Sequence, residues 1–459
     1  MYSILFFSNL KLSVMIVNID NMEGDLLYLK NDSHCSPIKL TRGQRFLLLS
    51  AVPLYFMAAG LILQPPGEIL EGILRIFREP DFLITDYFVI GGISAAFINA
   101  GALTLMSIAL VYFLGMDMSG HTITSSFLML GFSLFGKNLI NIWAILAGVF
   151  LYSHYHKTSV RRYLYIGLYG TSLSPIITQV MQLPDLPVWA AFIFSIITGV
   201  IIGFVLPPLS THVHYAHKGY SLYNVGFASG IIATVIVSLF RSFGIEIASR
   251  QIWYTGGNRL FAGLLFLLFG LMIFLGLLKG PRQVLKNYGA ILRSSGISGT
   301  DYLKEFGHSP VMLNMGINGI FAVCFVLAVG GDLNGPTIGG ILTIVGFSAT
   351  GKHLRNIAPI MAGVLLGSFT KEWAINDPSP LLALLFSTTL APVAGEFGVL
   401  AGLLAGYLHS SVALNVGIVY GGMNLYNNGF AGGIVAIFLV PVIQSIRDRR
   451  ARAKGRLSL

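Results

Sequence analysis

Apolar residues come along this chain in runs of about twenty, the length a helix needs to cross the hydrocarbon of a bilayer. In the first half these runs fall near 44–63, 88–115, 162–181, 187–206 and 222–241. The alternating ten-residue segments of a membrane barrel are missing, so helices are predicted. One segment, 120–153, breaks the pattern: it divides at Gly136-Lys137 into two shorter apolar pieces. Each piece is about 14 residues, which reaches about 21 Å as helix against roughly 30 Å of hydrocarbon. The two pieces predict a re-entrant hairpin, with a single kinked spanning helix as the alternative.

The interrupted segment is written twice. Residues 99–153 align with 314–368 without a gap, and 22 of the 55 pairs are identical. The composition would give roughly 5 by chance. Shared letters include Gly120-x-Thr122-Ile123 with Gly335-x-Thr337-Ile338, and Gly136-Lys137-x-Leu139-x-Asn141 with Gly351-Lys352-x-Leu354-x-Asn356. The duplication runs wider. Thr85-Asp86-Tyr87 recurs as Thr300-Asp301-Tyr302, Leu173-x-Pro175 as Leu390-x-Pro392, and Leu222-Tyr223-Asn224-x-Gly226-Phe227 as Leu425-Tyr426-Asn427-x-Gly429-Phe430. The landmarks keep their order, which divides the chain into an N-terminal extension 1–43, membrane repeats 44–250 and 251–446, and a basic tail 447–459.

Composition agrees with a membrane protein: 54% of residues are hydrophobic, 10% are charged and mean hydropathy is +0.75. A soluble domain carries about a quarter charged residues. The net charge of +10 sits largely in loops and in the tail from Arg447 to Arg456, so it points to membrane orientation and lipid headgroups rather than nucleic acid. Loops 154–161 and 279–308 and the tail are basic; loop 64–87 is net acidic, 182–187 has no Lys or Arg, and 369–380 has only Lys371. Placing the basic segments in the cytoplasm gives each repeat an odd number of crossings, which turns the second repeat over relative to the first. Arg241, Arg250 and Arg259 are exceptions, near the expected outer loop. The expected fold is an all-α polytopic protein of the cell membrane with a cytoplasmic C-terminus. It has two inverted repeats, each of about five transmembrane helices plus one re-entrant hairpin. The apolar start lacks a basic region and is interrupted by Lys11, so no cleaved signal peptide is expected, and Met15 or Met22 is an alternative start. Cys35 and Cys324 make no metal or disulfide pattern.

Gly131-x4-Gly136-Lys137 and its copy have phosphate-loop spacing, but Asn138 and His353 stand where Ser or Thr would hold Mg²⁺, and the flanks are apolar. Lys137 and Lys352 either face a permeation pathway or snorkel to headgroups as anchors. Thr122 and Thr337 would open the hairpins, offering hydroxyls to a polar solute or serving as ordinary caps. Asp117 and Asp332 precede them as caps or lysine partners. Asn224 and Asn427, with Tyr223, Tyr426, Phe227 and Phe430, begin the last span of each repeat and either line a pore or pack helices. Glu396, matching Gln179, is a coupling carboxylate if buried and a solvated one if its span ends there. His212, His214 and His217 fall in an expected cytoplasmic loop as an interfacial cluster.

The duplicated motifs resemble an uncharacterised family of prokaryotic integral membrane proteins, a domain of unknown function, over residues 44–446. They also resemble, distantly, the urea transporters. Asn334-Gly335-Pro336-Thr337-Ile338 is similar to that family's re-entrant motif, and Leu425-Tyr426-Asn427 to a stretch of its last span. The second resemblance implies two inverted halves and passive urea conduction by trimers. Ser119-Gly120-His121, Asn428 and the paired lysines depart from that pattern. The sequence thus leads to a channel-like facilitator of a small polar, urea-like solute, using Thr122, Thr337, Asn224 and Asn427. An ion-coupled transporter of a small anion, using Lys137, Lys352 and Glu396, is the alternative, and a membrane scaffold or enzyme the third reading. No catalytic set, metal or cofactor is expected. The expected partners are a small-molecule solute and membrane lipid, with a homo-oligomer left open.

Overall fold

The computed structural model describes residues 40–183, 186–246, 250–278 and 280–453. The expected extension, with Met15, Met22 and Cys35, falls outside these up to residue 39, as does the tail from 454. The first copy contributes α1 Arg42–Leu63, α2 Pro66–Arg78, α3 Tyr87–Ile90, α4 Ile93–Phe113, α5 Gly120–Phe132, α6 Trp143–Tyr155, α7 Leu164–Gly170, α8 Ser174–Met181, α9 Val188–His217 and α10 Asn224–Ser242. The second contributes α11 Asn258–Leu277, α12 Pro281–Ile291, α13 Tyr302–Phe306, α14 His308–Ala328, α15 Gly335–Phe347, α16 Leu354–Ser368, α17 Pro378–Phe386, α18 Ala391–Phe397, α19 Val399–Val416 and α20 Asn427–Ala453. Two short strands, β1 Ile84–Thr85 and β2 Gln251–Ile252, pair in parallel.

Among the described residues, nine helices are long and apolar enough to span a bilayer, counting α17 and α18 with their linking turn as one. The chain is a multi-span helical membrane protein. Large apolar side chains such as Trp189, Phe192 and Ile201 on α9 are exposed, an arrangement suited to lipid rather than water.

Three features differ from the expected spans. The stretch 162–181 is not one helix: α7 and α8 are separated by a 3₁₀ turn, Thr171–Leu173, where Pro175 has no N–H to continue the ladder. Its counterpart breaks alike at Ser387–Leu390. Helix α9 runs through Pro207 and Pro208 for 30 residues, so the histidines lie on its last turns and not in a loop. The loops 64–87 and 279–308 contain helices α2 and α12, each begun by a proline at its first position.

The duplicated segment forms two short helices per copy, separated by a non-helical stretch at the Gly-Lys pair. Helices α5, α6 and α15 have 13 residues and α16 has 15. Helix α5 packs against α15, α6 against α9, and α16 against α19. Between α5 and α15 the backbones nearly touch: a Cβ on Gly131 would lie 2.9 Å from Gly339 Cα. The pair is antiparallel, because Gly120 at the start of α5 lies beside Ala349 and Thr350, just past the end of α15, while Gly335 lies beside Leu134.

Each of these helices starts on a capping box, Ser119 with Thr122 and Asn334 with Thr337. Each also borrows a carboxylate from the other copy. Asp301 Oδ1 accepts from Gly120 N–H at 3.1 Å, and Asp86 Oδ2 accepts from Gly335 N–H at 3.3 Å. The duplicated Thr-Asp-Tyr motif thus caps the partner copy's short helix.

Candidate functional site

The break after α5 releases backbone carbonyls inside the protein, where each needs a donor. Asn99 Nδ2 donates to Ser133 O at 2.8 Å and to Lys137 O at 2.9 Å. Asn141 Nδ2 donates to Gly136 O at 3.2 Å and to Asp81 Oδ2 at 2.9 Å. The second copy repeats this: Asn314 Nδ2 donates to Ser348 O and Lys352 O, both at 2.8 Å, and Asn356 Nδ2 to Gly351 O at 2.9 Å. Gly136, at φ +141°, passes against Leu425, where a Cβ would lie 2.7 Å from Leu425 Cδ2. The Gly-Lys-x-Leu-x-Asn motif is therefore a device for unwinding a helix and fixing the lysine that follows.

Both lysines are fully buried. Lys137 Nζ donates to the Tyr426 hydroxyl at 3.3 Å and to Leu168 O at 3.5 Å, and stands 5.0 Å from the Tyr426 ring and 5.4 Å from the Phe132 ring. Lys352 Nζ donates to the Tyr223 hydroxyl and to Thr388 Oγ1 at 2.7 Å, and stands 4.5 Å from the Tyr223 ring and 5.1 Å from that of Phe347. Each lysine comes from one copy and its tyrosine from the other. Thr388 lies in the 3₁₀ break between α17 and α18, and its counterpart Thr171 lies in the break between α7 and α8. Aromatic faces support such cations by about 0.5–2 kcal/mol. Taking an ammonium out of water costs several kcal/mol, however, and is ordinarily offset by a carboxylate. Here none does so: among the described residues, no ion pair includes Lys137 or Lys352.

Two cavities flank this centre. One, of about 430 Å³, is lined by Phe132, Tyr169, Tyr223, Phe347 and Tyr426, with His214 and Arg162 among its polar residues. The other, of about 330 Å³, includes Ile84, Arg241, Ser379 and Asn427. Three residues belong to both linings: Phe386, Leu425 and Asn428. Phe386 also packs 5.5 Å from Phe132 and 6.4 Å from Tyr223, between the two lysine–tyrosine pairs. Asn428 is buried, and its Oδ1 has no hydrogen-bond partner.

Several sequence candidates take other places. Thr122 and Thr337 line neither cavity: Thr122 Oγ1 is shared with Ser119 N–H and Tyr165, and Thr337 Oγ1 donates to Asp332 O at 2.8 Å. Their hydroxyls are used at helix starts. Phe227 and Phe430 are absent from both linings and pack against each other across α10 and α20, in notches left by Gly433 and Gly230. Asn224 and Asn427 do line cavities, one each, while bonding locally: Asn224 to His217 at 2.8 Å and to Ser210, and Asn427 to Tyr420 and Ala413. Glu396 pairs with Arg447 at 3.1 Å, its side chain 32% exposed, so it is not the buried carboxylate that coupling called for. Asp117 is exposed beside Arg42, and Asp332 accepts from Trp253, so neither meets a lysine. Among the described residues no cluster of three or more His, Cys, Asp or Glu is placed to hold a metal ion.

Sequence reasoning named no role for Asn99, Asn314, Asp86 or Asp301, although repetition marked all four. Thr388 repeats Thr171, two residues before the Leu-x-Pro landmark, whereas Phe386 and Asn428 carried no such mark.

No curated protein and no solved structure matches the chain. A family model described as "Protein of unknown function (DUF1576)" matches residues 65–242 and 280–445, which takes in most of each copy and the whole lysine–tyrosine centre and leaves α1 and α11 outside. On that match the chain belongs to the DUF1576 family of proteins of unknown function.

Proposed function

We propose that this chain is a membrane transporter that moves a small solute along a pathway between two inverted repeats, with no chemical step. The observation that carries the reading is that the two cavities share Phe386, Leu425 and Asn428 in their linings, which on this reading form one closed layer between them. A pathway closed in this way suits a gated carrier better than an open channel. Antiparallel packing of the duplicated helices α5 and α15, with caps exchanged between copies, supports opposed repeats and short helices that re-enter from the two sides. On this reading the basic loop near 154–161 and the C-terminal tail share the cytoplasmic face of the cell membrane.

With Thr122 and Thr337 used as caps, the hydroxyl pathway of a urea-like facilitator loses two of its expected members. Proteoliposome flux tests the transport reading. Solute uptake should exceed that of empty vesicles, and Phe386→Ala, which removes the largest side chain of the closed layer, should raise it further. Vesicles holding the protein that admit urea, formamide, formate and acetate no faster than empty ones would overturn the reading.

A further inference from the structure

We infer that the transported solute is a small anion, bound between the two lysine–tyrosine pairs. This rests on the cavities forming one pathway and names the charge of what passes along it.

The first support is the charge of the lining. Among the described residues, the larger cavity is lined by Arg162 and the smaller by Arg241, and neither lining includes an Asp or Glu. Walls of one sign in a medium of low dielectric concentrate ions of the other sign. The second is the centre itself. Lys137 and Lys352 are fully buried without a carboxylate; they line neither cavity but stand behind the Tyr426 and Tyr223 rings that form the wall of the larger one. An arriving anion favours the ammonium form of each lysine, and their attraction is strong in a medium of low dielectric.

The third support is the orientation of donors. Tyr426 and Tyr223 accept hydrogen bonds from the lysines, which leaves each phenolic hydrogen to be donated elsewhere. Donation from Lys to Tyr and on to an anion polarises each bond in the same sense. Carboxylates and oxyanions accept such bonds; cations have no lone pair for them. The reciprocal origin of each pair, lysine from one copy and tyrosine from the other, means that movement of the copies against each other makes or breaks both pairs together.

The test is isothermal titration calorimetry on the purified full chain in detergent, with sodium formate, acetate and nitrate as probes and urea as the neutral control. At least one anion should bind saturably and urea should not. The Lys137→Met/Lys352→Met double variant should weaken binding by about tenfold or more, and Tyr223→Phe/Tyr426→Phe should weaken it several-fold. The tyrosine variants remove only hydroxyls, so they decide the matter should the lysine variants fail to fold. No saturable anion binding below the order of 50 mM, or binding unchanged in the tyrosine variants, overturns the anion site. Anion binding without flux in proteoliposomes refutes the pathway and leaves the site standing. Flux of urea without anion binding does the reverse.

Discussion

Substituting Asn99 probes the device that holds Lys137. In the native chain its Nδ2 serves two carbonyls, Ser133 O at 2.8 Å and Lys137 O at 2.9 Å, while its own buried Oδ1 has no partner. Asn99→Ala frees both carbonyls, at about 1–3 kcal/mol each, and relieves one unpaired oxygen of similar cost, leaving a net loss of about 1–3 kcal/mol. Asn99→Asp keeps the shape but replaces the donor with a second acceptor, setting carboxylate oxygen against two carbonyl oxygens. It adds an unpaired buried charge and should cost several kcal/mol more than alanine. Unfolding of purified variants by titration with sodium dodecyl sulfate reads the difference. The expected order is wild type, then alanine, then aspartate, with the last gap narrowing at acidic pH as the carboxyl gains a proton that it can donate. Aspartate tolerated as well as alanine at neutral pH would refute the assignment of Nδ2 as the carbonyl clamp.

Three further outcomes follow from the geometry. Gly131→Val should prevent α5 from reaching α15, since even its Cβ would lie 2.9 Å from Gly339 Cα; monodisperse protein on size exclusion should fall sharply, whereas Gly263→Val, where a Cβ meets nothing within 4 Å, should leave it unchanged. Glu396→Gln breaks only an exposed pair with Arg447, so it should shift stability by less than about 1 kcal/mol and leave the pH dependence of flux unaltered; loss of that dependence would restore Glu396 as a coupling group. Burial lifts the Asp81 carboxyl, in the loop after α2, from the ordinary 3.8 to about 8, against the opposing pull of hydrogen bonds from Tyr87 and Asn141. The folded chain therefore holds this proton more tightly than the unfolded one, and stability should fall as pH rises from about 4 to about 8. Asp81→Asn, still able to accept from Tyr87, should flatten that fall in a thermal-melting series, and an unchanged slope would count against it.

Much of the centre was legible because duplication acts as a second observation of each residue. The Gly-Lys break, the short helices on either side and the Gly131/Gly346 pair all appear twice, and each occupies matching places in the structure. What a repeated letter does is another matter. The Thr122 hydroxyl suits a pore and a capping box equally well, and only the position of Ser119 beside its N–H decides between them. Partners were the least legible part. Lys137 and Tyr426 are 289 residues apart, and apolar helices in a bilayer give no pattern that says which neighbour they face. The span expected near 187–206 continues as α9 through Pro207 and Pro208 to His217, since a membrane helix accommodates prolines inside it. Asn428 stands where the first copy has Val225, so repetition could not mark it.

The central claim, that the two cavities are the two ends of one pathway, is open to side-specific labelling. In a chain whose native cysteines are replaced, a single cysteine is placed at Thr211, on the larger cavity, or at Ser379, on the smaller. Sealed vesicles of both orientations are then treated with a membrane-impermeant thiol reagent. The two positions should react from opposite faces of the membrane, each from one face only. Labelling of both from the same face would contradict the account.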